Sequence, residues 1–84
     1  MNFQIDYLRT FVALAETGGF TRAGLRVNRS QSAVSMQIKR LEQEAGKPLF
    51  RRIGKTAELT SHGRILLDHA MRILKEHDDA VRAM

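Results

Sequence analysis

Cysteine and tryptophan are absent from this 84-residue chain, and proline occurs once. Without cysteine there is no disulfide staple, no thiolate zinc site and no thiol nucleophile, and a reducing compartment suits the chain. No apolar run approaches the roughly 20 residues that a membrane-crossing helix needs. The amino terminus carries acidic Asp6 where a signal peptide would place a basic stretch before an apolar one, so neither a span nor a secretion signal is expected. Repeats, low-complexity tracts and flexible linkers are also missing. A chain of this length holds one small domain and leaves little room for a deep substrate cleft. The neighbouring carboxylates Glu42 and Glu44, or Asp78 and Asp79, lack a His, Ser or ligand set that would complete a mechanism. The expectation is a binding module in the cytoplasm, not an enzyme, with no catalytic residue, no metal and no cofactor.

What the chain has is positive charge, and it is concentrated. Of the net +5, residues 22–55 carry nine basic side chains against only Glu42 and Glu44, a local +7, so the remainder carries −2. A single basic segment in an otherwise slightly acidic domain is the footprint of a surface that seeks a polyanion such as a nucleic acid.

Hydrophobic spacing places helices around that segment. From Gln4 to Thr17 the apolar residues Ile5, Leu8, Phe11, Val12 and Ala15 recur at three- and four-residue steps, the period of an amphipathic helix, which Gly18-Gly19 ends. Phe20-Thr21 offers a hydrophobic residue and then an N-cap hydroxyl for a short second helix running to about Asn28, with Ala23, Leu25 and Val27. Gly24 within it costs helix propensity, so close backbone approach by another helix is expected there. Ser30 is the expected N-cap of a third helix, Gln31 to Ala45, stopped by Gly46 and Pro48.

At about 100° per residue, Val34, Ile38, Leu41 and Ala45 share one narrow arc of this third helix, while Ser32, Ser35, Met36, Lys39 and Gln43 project oppositely. Residues 21–45 thus describe a helix-turn-helix. Its outward face suits a major groove: Gln31 can pair twice with adenine, serine hydroxyls tolerate several base edges, Met36 can pack on a thymine methyl, and Lys39 suits phosphate or guanine. Residues 48–60 then read as a hairpin wing with a basic tip near Gly54. Arg51, Arg52 and Lys55 suit phosphates, and Lys55 could enter a narrowed minor groove. Arg52 has an equal alternative, packing its stem along the fourth helix in an ion pair.

Thr60 or Ser61 opens that fourth helix, which runs to the last residue. Its apolar side chains cover roughly half the cylinder, wider than one contact needs, so a second contact is implied. Asp68 with Arg72 and Asp78 with Arg82 stand at ion-pair spacing. His62, His69 and His77 share one side, but steps of seven and eight residues put them about 10–12 Å apart along the axis, too far to share an ion. Both signs of charge mix on its polar face, which argues against membrane-surface binding.

Taken together, Leu8-Arg9-Thr10-Phe11-Val12-Ala13-Leu14-Ala15-Glu16, Phe20-Thr21-Arg22-Ala23, Ser30-Gln31-Ser32-Ala33-Val34-Ser35 with Gln37-Ile38 and Leu41-Glu42, and Leu49-Phe50 with Arg52, Leu59-Thr60 and Gly63 carry a resemblance. The chain resembles the amino-terminal domain of LysR-type bacterial transcriptional regulators over nearly its whole length. The resemblance implies a mostly α winged helix-turn-helix, a three-helix core plus a two-stranded wing, followed by a long linker helix that pairs antiparallel with its twin. Residues 1–60 would form the DNA-binding domain and 61–84 the dimerisation helix.

On this reading Gln31, Ser32, Ser35, Met36 and Lys39 face the major groove. Thr21, Arg22, Ser30, Arg40, Arg51 and Arg52 hold the backbone, and Lys55 with Thr56 tips the wing into the minor groove. Leu66, Leu67, Ala70, Met71, Leu74 and Val81 form the dimer contact. The expected partners are double-stranded operator DNA, read as an interrupted palindrome, a second copy of the chain, and a carboxy-terminal effector-binding domain not contained in these residues. A winged-helix adaptor that binds protein is the alternative. Four positions depart from the family pattern: Gly24 and Val27 stand for the common Ala and Leu, Met36 for a frequent Arg, and Lys55 for Arg, which keeps the charge and loses the planar fork.

Overall fold

A computed structural model describes residues 2–84. It contains α1 (Ile5–Thr17), α2 (Phe20–Val27), α3 (Gln31–Ala45), an antiparallel hairpin of β1 (Phe50–Ile53) and β2 (Thr56–Leu59), and α4 (Ser61–Ala83). The three-helix core, wing and long final helix therefore stand as expected. Leu8, Phe11, Leu14, Val34, Leu41 and Leu49 are almost wholly shielded from solvent at its centre. The Phe11 and Phe50 rings meet at 5.3 Å and a 57° tilt, which fastens the base of the wing to α1.

Local chemistry explains most boundaries. Ser30 accepts from the Ala33 amide and Thr60 from the Gly63 amide, so α3 and α4 both begin on hydroxyl caps. Left-handed Gly18 and Gly46 close α1 and α3. The start of α2 differs from expectation: the helix begins at Phe20, its N-cap is Gly19, and the Thr21 hydroxyl does not cap it. Extended Gly19 follows directly on the left-handed stop of α1, so the chain re-enters a helix two residues earlier than a Thr21 cap would allow.

The close approach at Gly24 is also of another kind. A Cβ there would stand 2.5 Å from the Arg29 carbonyl oxygen, so the turn leading into α3, not a neighbouring helix, requires the missing side chain. Gly63 plays the same part at the other end of the domain, where a Cβ would lie 2.1 Å from the Leu49 carbonyl. This contact lets α4 start flush against the wing.

Two polar elements brace the core. Buried Thr10 donates its hydroxyl to the side-chain amide oxygen Oε1 of Gln37 at 2.5 Å, joining α1 to α3. Glu42 accepts from the amides of Leu49 at 2.8 Å and Phe50 at 3.3 Å, so α3 fixes where the wing begins. Among the described residues no buried side-chain nitrogen or oxygen lacks a partner.

Neither ion pair expected within α4 forms. Asp78 instead receives Arg9 of α1 at 2.6 Å, Arg82 turns to Asp79, and Arg72 faces His69. A partner across the fold and one at i+3 outcompete the i+4 neighbours. The core continues beyond residue 60: Ala70 is fully buried, and Leu66, Leu67 and Leu74 pack partly against the same cluster. Among the described residues, no helix is long and apolar enough to cross a membrane.

Candidate nucleic-acid interface

Three elements converge on one side of the molecule. The wing turns through Gly54-Lys55, two residues with Gly54 at φ +61°, as tight hairpins prefer. Its inner face leans toward α2 and the start of α3, leaving a groove of about 500 Å³. Thr21, Arg22, Gln31, Arg52, Lys55 and Thr56 line this groove, so six residues singled out from sequence meet in one place.

The electrostatics of the groove favour an anion. Arg22, Arg52 and Lys55 border it, and the amino terminus of α2 opens on it without a side-chain cap. Free first-turn amides and the positive end of the helix dipole suit a phosphate oxygen. Arg22 is steadied by donating to the Thr17 carbonyl at 2.9 Å.

Arg52 does not take the structural alternative weighed from sequence, an ion pair along α4. Its guanidinium lies 4.1 Å above the Phe20 ring, and Nη2 stands 3.4 Å from the Ser35 hydroxyl. It packs against α2, not α4, and it points along the groove toward α3. Thus stacking orients the cation while leaving it exposed to a ligand.

On α3 the outward strip is open. Gln31, Ser32, Met36, Lys39, Arg40 and Gln43 are exposed and Ser35 is half-buried beside Arg52. Gln37 was not singled out for the core, yet it is buried against Thr10. Ala45, placed in the buried arc, is only half-buried at the helix end.

Other predicted contacts lie apart from the groove. Arg40 lines a different hollow, of about 270 Å³, with Asn2, Gln4 and Tyr7. Arg51 alternates to the outer face of β1 opposite Glu58, away from Arg52. Ser30 spends its hydroxyl on the α3 cap and lies 3.3 Å from the Ser32 hydroxyl.

Helix α4 carries apolar surface apart from the groove-lining residues. Ile65, Met71, Ile73 and Val81 are exposed. Ala70 has no accessible surface, so it serves the core and offers nothing to a second copy. Met71 and Ile73 are separated by about 160° around the helix, so one flat contact does not cover both. Ile65 and Leu66 also edge a shallow apolar hollow of about 160 Å³ with Phe3, Leu49, His62 and His69. Spacing had indicated a wide apolar arc but missed Ile65 as its exposed edge. Among the described residues, no group of three His, Asp or Glu is arranged to hold a metal ion.

Residues 5–64 match the family described as "Bacterial regulatory helix-turn-helix protein, lysR family". The chain belongs to the LysR family. It is 50% identical over 80 residues to the HTH-type transcriptional regulator DgdR of Burkholderia cepacia, covering 95% of this chain and 27% of that protein. It is 46% identical over 84 residues to the regulator PecT of Dickeya dadantii, covering all of this chain and 27% of the relative. The chain thus spans about a quarter of the length of these LysR relatives.

Solved structures agree in fold. A complex of the CbnR DBD with DNA superposes with a TM-score of 0.86 at 34% identity, covering 95% of both chains. DarR of Vibrio fischeri, solved in complex with DNA, gives 0.91 at 29% identity over 99% of this chain and 28% of that one. The winged helix-turn-helix architecture expected from the LysR resemblance is therefore the architecture of this chain.

Proposed function

We propose that this LysR-family chain binds operator DNA in the cytoplasm as the DNA-reading part of a transcriptional regulator. The observation that carries the reading is the groove itself, where uncapped α2 amides, Arg22, Arg52 and Lys55 surround the entry to an open polar strip on α3. A duplex backbone seated on those cations brings the strip to base edges, because phosphate contacts position and base contacts specify. Gln31, Ser32, Ser35, Met36 and Lys39 read the major groove. Thr21, Arg22, Ser30, Arg40, Arg51 and Arg52 hold phosphates, and Lys55 with Thr56 reaches the minor groove. The DNA complexes of the CbnR DBD and DarR support duplex binding by a chain of this fold.

Residues 1–60 carry the duplex contact and 61–84 the contact with a second copy, through Leu66, Leu67, Leu74 and Val81, with Ile73 in place of buried Ala70 and of Met71 on the opposite flank. Two-fold pairing requires an operator with matching pseudo-symmetry, an interrupted palindrome. An effector-binding domain belongs to the longer regulator, in keeping with the length of the relatives.

Fluorescence anisotropy with a random duplex and with a duplex selected from a random pool, each at two salt concentrations, tests the reading. Binding to both that weakens with salt, and tighter binding to the selected duplex, supports it. No binding at low salt would sink it and favour the adaptor alternative.

A further inference from the structure

One side chain on the outward strip of α3 is chemically unlike its neighbours. The other large apolar residues of this helix are buried, Val34 at 0%, Ile38 at 4% and Leu41 at 1% exposure, whereas Met36 is 53% exposed. One helical turn away on either side stand exposed Ser32, Lys39 and Arg40, all able to hydrogen-bond. A thioether is a weak acceptor and no donor, so it adds nothing to a face that only holds phosphate or water. Pressed on a guanine, adenine or cytosine edge it would leave polar base atoms dehydrated without partners. The apolar feature that the major groove presents is the C5 methyl of a pyrimidine. An unbranched, polarizable side chain with three rotatable bonds adapts to that target.

We propose that Met36 reads a pyrimidine 5-methyl group, so that the preferred site depends on one methyl for each copy of α3 that is bound. The inference rests on the duplex-binding reading above and adds the chemical group recognised. Thymine and 5-methylcytosine supply the same methyl and differ at the neighbouring edge, O4 against N4.

The test uses duplexes selected from a random pool by the protein. Each thymine is replaced singly by deoxyuridine, which removes only the methyl, and affinities are measured for the unmodified protein and for Met36→Ala. One thymine per bound α3 should lose about fourfold in affinity on conversion to deoxyuridine, the value of one buried methyl-sized group. That loss should vanish in Met36→Ala. At the same position 5-methylcytosine should bind more tightly than cytosine in the unmodified protein alone, and equality of the two would confine the source to thymine. If no thymine is sensitive, or if the sensitivity persists in Met36→Ala, the proposal is overturned while duplex binding stands. If no duplex is selected at all, both fall together.

Discussion

The guanidinium of Arg52 on β1 is stacked 4.1 Å above the ring of Phe20 on α2. The wing is thereby tied to the helix whose amino terminus faces the groove, and the cation is held beside Ser35 at the entry to α3. An exposed cation–π contact contributes about 0.5–1 kcal/mol. Phe20→Leu should therefore lower duplex affinity by roughly two- to fivefold while the fold persists. Anisotropy titration alongside circular dichroism checks this, and unchanged affinity would mean that the stack does not position Arg52.

The buried hydrogen bond between Thr10 and Gln37 should behave as a pair. Thr10→Val strands the Gln37 amide in the core and should cost about 1–3 kcal/mol in urea unfolding. Adding Gln37→Leu removes the stranded group, so the double variant should lose less than the sum of the singles. Additive losses would show that the two groups do not depend on one another.

Arg9 and His77 hold the Asp78 carboxyl down at about 2, below its ordinary value of 3.8, chiefly through the Arg9 hydrogen bond. A depressed carboxylate stabilises the folded state in full above the unfolded value and loses that contribution as pH falls toward 2. Thermal unfolding of Asp78→Asn should thus vary less steeply between about pH 5 and pH 2 than that of the unmodified protein. Parallel curves would remove Asp78 from the acid sensitivity of the fold.

Ile73 lies on the flank of α4 that continues into the hollow at Leu66 and Leu49, whereas Met71 lies almost opposite. Ile73→Asp should sediment as a monomer at concentrations where the unmodified protein and Met71→Asp remain dimers. Intact Ile73→Asp dimers would move the contact elsewhere on the helix.

These elements differ in how far sequence alone reveals them. The limits of α3 were legible because a serine cap and a stopping glycine bracket a clean apolar arc, and the wing because a glycine lies between two short apolar ends. The start of α2 was not, since its cap is a glycine with no side chain to announce it. Gln37 escaped because hydrophobic spacing counts only apolar residues, while its burial depends on Thr10 in another helix. Arg9 and Asp78 escaped for the same reason: spacing rules find partners within a helix and are blind to those brought together by packing. Ala70 was assigned to a second copy because an apolar arc does not say which part of it the chain's own core consumes. The six groove residues are legible in the sequence because each carries charge or hydrogen-bonding chemistry that the core does not need, whereas their convergence depends on how the wing packs.

The most direct test of the account compares Gln31→Ala and Lys55→Ala on a selected duplex and on a random one. Gln31→Ala should cost about 1–3 kcal/mol on the selected duplex and little on the random one, because it removes a base contact. Lys55→Ala should weaken both and reduce the salt slope by about one, because a cation in the minor groove neutralises backbone charge whatever the sequence. Equal losses for Gln31→Ala on the two duplexes would contradict the claim that α3 reads bases.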